Sequence, residues 1–268
     1  MSKDRKYHKK RSPRKPARPK PAPQPAKAPE SVEGMRLNKY VAHAGICSRR
    51  QAAEYIKEGL VTVNGQVERS PGYQVQTGDQ ITYKGKLIAP EERLVYILMN
   101  KPKNVISTVK DDRDRKTVLD MLKGKIEERI FPVGRLDRDT TGLLLLTNDG
   151  QLAEKMMHPR HKMKKIYTVT LDRPVSPEDL ERIRQGLELE DGLAPVNWVE
   201  HPNPKKKEEV ALEIQIGRNR IVRRIFEHLQ YEVKKLDRIY LGGLTKKDLP
   251  RGFWRHLTEE EIRMLKHF

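Results

Sequence analysis

The chain has one cysteine, Cys47, in 268 residues. That excludes an internal disulfide and a cysteine-rich zinc site, and it points to a reducing, cytoplasmic compartment. No run of about eighteen apolar residues occurs, so no segment reads as a bilayer span. The N-terminus has no apolar stretch behind its charges and does not read as a secretory signal. The eight histidines are scattered, without the spacing of zinc ligands. Aromatic residues are 6% of the chain and hydrophobic residues 36%, enough for a core with little surplus. Negative charge is also short: 37 Asp and Glu stand against 55 Lys and Arg, a net charge of +18. A surplus of that size calls for a polyanionic partner, nucleic acid ahead of an acidic membrane surface.

The charge is unevenly spread. Residues 1–33 hold eleven Lys or Arg, three acids and seven prolines. With almost no large apolar side chains, this stretch cannot offset the entropy of ordering, and it is expected to be a disordered basic arm. Its expected role is salt-sensitive affinity for RNA. The prolines exclude an amphipathic helix there.

Ordered structure is expected from about Met35. Leu37, Val41 and Ala44 recur at helical spacing until Gly45 stops the helix. Ser48, with Gln51 three residues later, opens a second helix by a capping box, and Gly59 ends it. Val61–Val63, the turn Asn64-Gly65 and Gln66-Val67 read as a β-hairpin. A third strand is expected over Gln80–Tyr83. Together they form a compact module of two helices and a small sheet over residues 34–92, closed by a linker at Ala89–Glu92.

The remainder, 93–268, mixes strands with fewer helices. Leu94–Met99, the four leucines Leu143–Leu146, Tyr167–Leu171 and Val210–Ile216 read as strands. The leucine run is too short for a helix and suits a strand buried on both faces. Helices are expected after Ser176, with Leu180, Ile183 and Leu187 on one side, and over Arg220–Leu229. Because strands outnumber helices without alternating with them, the fold class is α+β, with a largely antiparallel mixed sheet flanked by helices.

Two strings carry the chemistry. In the small module, Arg49 and Arg50 occupy the first turn of a helix, where cations are disfavoured by the helix dipole unless an anion binds. With Arg36, Lys39 and Lys57 they could form one RNA-facing basic surface. In the larger part, Gly134-Arg135-Leu136-Asp137-Arg138-Asp139-Thr140-Thr141-Gly142 is a short polar loop between apolar elements. Arg135 and Arg138 flank Asp137, and nearby positive charge keeps a carboxylate ionised, as a nucleophile or base requires. On composition alone, a turn held by salt bridges accounts for this string better than a reactive site does.

The string from Arg36-Leu37-Asn38-Lys39-Tyr40 through Gly45-Ile46-Cys47-Ser48-Arg49-Arg50 to Val63-Asn64-Gly65 resembles the S4 RNA-binding domain. Gly134–Asp137 followed by Thr140–Gly150 resembles the active-site motif of pseudouridine synthases, closest to the RsuA/RluB group that modifies ribosomal RNA. Asn100–Pro102 with Val105–Thr108, Lys165-Ile166-Tyr167, Gly217–Arg224 and Gly252–Leu257 resemble further segments of that group in the same order. The resemblance covers nearly everything after residue 34. It implies that Asp137 is the catalytic aspartate, that Tyr167 lies against the target base, and that Arg223 pairs with Asp137. Spacing alone leaves open which of Arg223 and Arg224 points inward. Arg135, Arg138 and Arg224 are the expected RNA contacts of this part. At Ile221 the chain departs from the glutamine of many relatives, so no role is carried over to that position.

The implied reaction replaces the N1–C1′ bond of a uridine by a C5–C1′ bond. Product and substrate are isomers, so no metal, redox carrier or other cofactor is expected. The aspartate could add to the sugar or assist a glycal route. The implied partner is ribosomal RNA or a pre-ribosomal particle, large-subunit RNA favoured, and the expected state is a monomer off the membrane. A non-catalytic RNA-binding or assembly factor would need the same charge and the same small module but not Asp137.

Overall fold

The computed structural model describes residues 32–91, 93–109 and 111–267. Most of the basic arm therefore lies outside the described residues.

The small module begins with helices Leu37–His43 and Arg49–Lys57. Ser48 caps the second, its hydroxyl accepting from the Gln51 amide at 3.2 Å. Four short antiparallel strands follow in the order Gln66–Val67, Val61–Val63, Ile81–Tyr83, Lys86–Leu87. The last of these is one more than the sequence reading expects. Asn64 and Gly65 both have positive φ, 52° and 81°, as a tight two-residue hairpin turn demands. Leu37, Val41, Ala52, Ile56, Val61 and Ile81 fill the core of the module with no exposed surface.

The larger part is built on a nine-stranded sheet. Its main path runs Trp198–Glu200, Glu209–Ile214, Lys165–Leu171, Val233–Leu241, Thr141–Thr147, Tyr96–Lys101, Trp254–His256. Leu244–Thr245 pairs with Val233–Leu241, and Phe131–Val133 with Thr141–Thr147. Every pairing is antiparallel except that of Val233–Leu241 with Thr141–Thr147. The expected α+β class with a largely antiparallel mixed sheet is what forms.

Thr141–Thr147 is buried along its whole length. Leu144 and Leu146 join the larger apolar cluster with Val169, Leu212 and Phe226, while Leu143 and Leu145 join a second cluster with Tyr96, Met156 and Leu265. Successive side chains of a strand alternate between faces, so a run of leucines is what a strand between two cores needs. Helices Pro177–Gln185 and Ile221–His228 contribute to the first cluster, Gly150–Met157 and Glu259–His267 to the second. Two readings shift. Leu187 is not on the helix after Ser176, because Gly186 ends it at φ 88° and Leu187–Leu189 pairs as a strand with Gly192–Ala194. Arg220 is the cap, not the first turn, of the late helix.

Candidate active site

Asp137 sits on the loop that enters the buried strand Thr141–Thr147. The loop is fixed on both sides of it. The Ser107 hydroxyl donates to the Leu136 carbonyl at 3.0 Å and accepts from the Leu136 amide at 3.2 Å. The Arg138 carbonyl accepts from the Asn104 amide at 2.8 Å and from the Lys101 ammonium at 3.4 Å. Leu136 is buried between them and the Thr140 amide closes the turn onto the Asp137 carbonyl at 3.1 Å. A half-exposed carboxylate is thereby held by backbone contacts that do not consume its own oxygens.

Lys101 is fully buried, with its ammonium on the carbonyls of Pro102, Val105 and Arg138. Burial lowers its pKa to about 8, and the charges of Asp139 and Asp137 oppose that shift.

The loop faces a cavity of about 590 Å³. Asp137, Arg135, Tyr167, Lys165, Arg220 and Arg238 are among the residues that line it. Tyr167 and Arg238 come from paired positions on adjacent strands, and Gly142 pairs with Arg238 on its other side. Gly142 has φ 112°, and a Cβ there would overlap the Arg238 carbonyl. The missing side chain lets the Arg238 strand lie this close. The buried Arg238 guanidinium donates through Nε to the Leu143 carbonyl at 2.7 Å and through Nη1 to the Tyr167 hydroxyl at 3.4 Å. Lys165 donates to the carbonyls of Gln215 and Ile216 at 3.1 and 3.4 Å. Burial, and then the charge of Arg238, lowers its pKa to about 8.

The expected pair between Arg223 and Asp137 is not formed. Arg223 is buried and its Nη2 lies 2.6 Å from Asp139, while Nη1 donates to the Val233 carbonyl at 3.2 Å. The arginine facing the Asp137 carboxylate is Arg220, at 3.8 Å. It sits in a left-handed backbone conformation at φ 46°, ahead of the helix, and also reaches Glu227 at 3.1 Å. Arg223, three residues on, turns with the helix into its buried face. Arg224 is engaged with Asp191 at 2.6 and 2.9 Å, which holds that carboxyl at about 2, well below the ordinary range.

Of the expected RNA contacts, Arg135 and Arg138 are exposed on the catalytic loop, and only Arg135 lines the cavity. Arg36, Arg49, Arg50 and Lys57 are exposed on the small module and Lys39 is half-buried there. Lys57 pairs with Glu54 at 3.3 Å. The sequence reading gives no role to Ser107, Lys101, Lys165, Arg220 or Arg238. The first three fall inside strings singled out for their resemblance, and Arg220 inside the late motif. Arg238 lies in a long strand that no motif marks. Among the described residues no group of three or more His, Cys, Asp or Glu is arranged to hold a metal ion, and no helix is long and apolar enough to cross a membrane.

A carboxylate at the mouth of a cavity, with arginines and a buried tyrosine around it, suits a polar substrate. Comparison with known proteins gives that class its family. Residues 95–228 match the family model described as RNA pseudouridylate synthase, and residues 35–81 match the S4 domain. "Ribosomal large subunit pseudouridine synthase B" of Bacillus subtilis is 44% identical over 86% of this chain and 95% of its own length. "Dual-specificity RNA pseudouridine synthase RluF" of Escherichia coli K12 is 38% identical over 85% of this chain and 77% of its own. A solved structure described as "Crystal structure of pseudouridylate synthase" superposes with a TM-score of 0.62 at 31% identity, covering 86% of this chain and 99% of that one. The chain belongs to the RNA pseudouridylate synthase family, isomerases that convert uridine to pseudouridine, and carries an S4 domain at its N-terminal side.

Proposed function

We propose that this chain isomerises a specific uridine of ribosomal RNA to pseudouridine, in large-subunit RNA rather than small-subunit RNA, with Asp137 as the catalytic carboxylate. It works in the cytoplasm as a monomer and needs no cofactor. The observation that carries the reading is the Asp137 loop: its backbone is pinned at Leu136 and Arg138 while the carboxylate faces the cavity, 3.8 Å from Arg220. The relative named for the large ribosomal subunit, at 44% identity, supports the substrate class.

In this reading the target uridine leaves its stack, which costs a few kcal/mol, and enters the cavity. Arg135 and Arg138 on the loop, and Arg36, Lys39, Arg49, Arg50 and Lys57 on the S4 domain, offset part of that by binding phosphate. Tyr167 packs against the base, with its hydroxyl oriented by Arg238. Arg220 lies 3.8 Å from the Asp137 carboxylate and faces it across the cavity. Arg223 supports the loop from below through Asp139, and Arg224 reaches RNA only by giving up Asp191. The N1–C1′ bond breaks, the base turns, C5 bonds to C1′, C5 loses its proton and N1 gains one. Every atom of the substrate is retained apart from the exchanged proton, and Asp137 serves as nucleophile or base.

The test is conversion of purified transcripts, read by chemical mapping of pseudouridine. A single modified uridine in 23S RNA and none in 16S RNA is expected. Modification of 16S RNA alone would overturn the choice of subunit, and modification of neither would overturn the substrate class.

A further inference from the structure

The sheet carries a second concavity on the face opposite Tyr167. Tyr167 lines the Asp137 cavity, so its neighbours Thr168 and Thr170 point to the other side. There, Thr141, Asp237 and Thr168 stand in one row across three adjacent strands, Asp237 being paired in register with both threonines. Lys235 and Thr170 form the next pair along. Together with Lys103 and Arg251 they line a groove of about 300 Å³.

The groove is strongly cationic. The one carboxylate in it, Asp237, is already committed: one oxygen accepts from the Thr141 hydroxyl at 2.9 Å, and the other faces Lys246 and, at 3.3 Å, Arg251. Lys103 and Lys235 are exposed, and the side chain of neither makes a hydrogen bond or ion pair among the described residues. Thr168 and Thr170 are half-exposed strand hydroxyls of the kind that bond phosphate oxygens. A groove with spare ammonium groups, spare hydroxyls and a neutralised acid suits a phosphodiester.

It is also continuous with the catalytic loop. The Asn104 amide, next to Lys103, donates to the Arg138 carbonyl at 2.8 Å. Exposed Arg138 and exposed Lys103 thus sit on two segments joined by that bond, one leading to Asp137 and the other to the groove. Phe253, two residues after Arg251, is exposed at 63%, unusual for so large an apolar ring and suited to stacking on an unpaired base.

We propose that this groove is a second RNA-binding site, in which backbone phosphates of the strand leaving the catalytic cavity are held by Lys103, Lys235 and the strand threonines. The inference rests on the reading of the chain as an enzyme acting on RNA, but not on which RNA it modifies. It assigns the reverse face of the sheet to substrate binding, apart from both the S4 domain and the Asp137 cavity.

The test compares the full chain with the Lys103→Gln/Lys235→Gln double variant, using a single-stranded RNA of mixed sequence, about 20 nucleotides long. A Lys205→Gln/Lys207→Gln variant removes the same charge from exposed lysines elsewhere. The expected result is a Kd at least about fivefold weaker for the groove variant, with the slope of log Kd against log salt smaller by about 0.7 for each phosphate released. The control variant stays within about twofold of the wild type. A groove variant indistinguishable from the control in both Kd and slope overturns the proposal. Because the readout is binding, it is separate from product formation: a chain that binds as described but modifies no uridine would count against the proposed function and not against the groove.

Discussion

At the scale of single residues, the Asp137 loop and Tyr167 are positioned by hydrogen bonds from other side chains. Ser107 and Lys101 fix the backbone on either side of Asp137, and Arg238 fixes Tyr167. Two lysines near this loop and cavity, Lys101 buried and Lys165 half-buried, have pKa values lowered to about 8. The consequence for Lys165 is measurable. Below about pH 8 the folded and unfolded chains both carry its proton, and the folded state bears the full cost of a partly desolvated ammonium. Between about 8 and the ordinary lysine value of 10.5 the unfolded chain binds more protons, so this contribution to stability rises with pH. Lys165→Met loses the bonds to Gln215 and Ile216 at every pH but has no such titration. Urea midpoints of wild type and variant should therefore keep a constant difference from pH 6 to 7.5. The wild type should gain on the variant from pH 8 to 10. A difference that does not change with pH would contradict the assignment.

At the scale of elements, the Asp137 loop depends on one close approach between strands. Thr141–Thr147 and Val233–Leu241 form the sheet's parallel pair, and the pairing passes through Gly142 and Arg238. Gly142→Ala places a methyl group on the Arg238 carbonyl at a φ that side chains rarely adopt. We expect a loss of about 3 kcal/mol or more in denaturant unfolding, with activity lost because Tyr167 and the Asp137 loop shift together. A variant within about 0.5 kcal/mol of wild type would contradict the account. Much of this architecture was legible beforehand. The cap at Ser48, the Asn64-Gly65 turn and the four leucines carry local signals that the fold obeys, and Asp137 is marked by its motif. What was not legible depends on contacts far apart in sequence. Strand Val233–Leu241 has charged residues and no clean alternation, and its assignment comes from pairing with Lys165–Leu171. The partner of Asp137 turned out to be Arg220 because a left-handed residue before the helix aims that side chain at the cavity, which spacing cannot express.

At the scale of the whole molecule, basic side chains occur on the N-terminal arm, the S4 helices, the Asp137 loop and the reverse-face groove, among other places. Sequence-independent contacts of this kind add affinity that salt removes, and in the proposed function selection of the base is left to the Asp137 cavity. Deleting residues 1–33 should weaken RNA binding at moderate salt and flatten the salt dependence, with turnover at saturating RNA unchanged. A deletion variant with the salt slope of the full chain would show that the arm does not bind. The central claim is that Asp137 carries out the isomerisation. It is tested most directly by mapping pseudouridine in ribosomal RNA from cells that lack this gene and are supplied with either wild type or Asp137→Asn. The account predicts that one uridine of the large-subunit RNA loses its modification and that only the wild type restores it, the variant being slower by about a thousandfold or more. Equal restoration by Asp137→Asn would contradict it and leave the chain as an RNA-binding protein on a pseudouridine synthase fold.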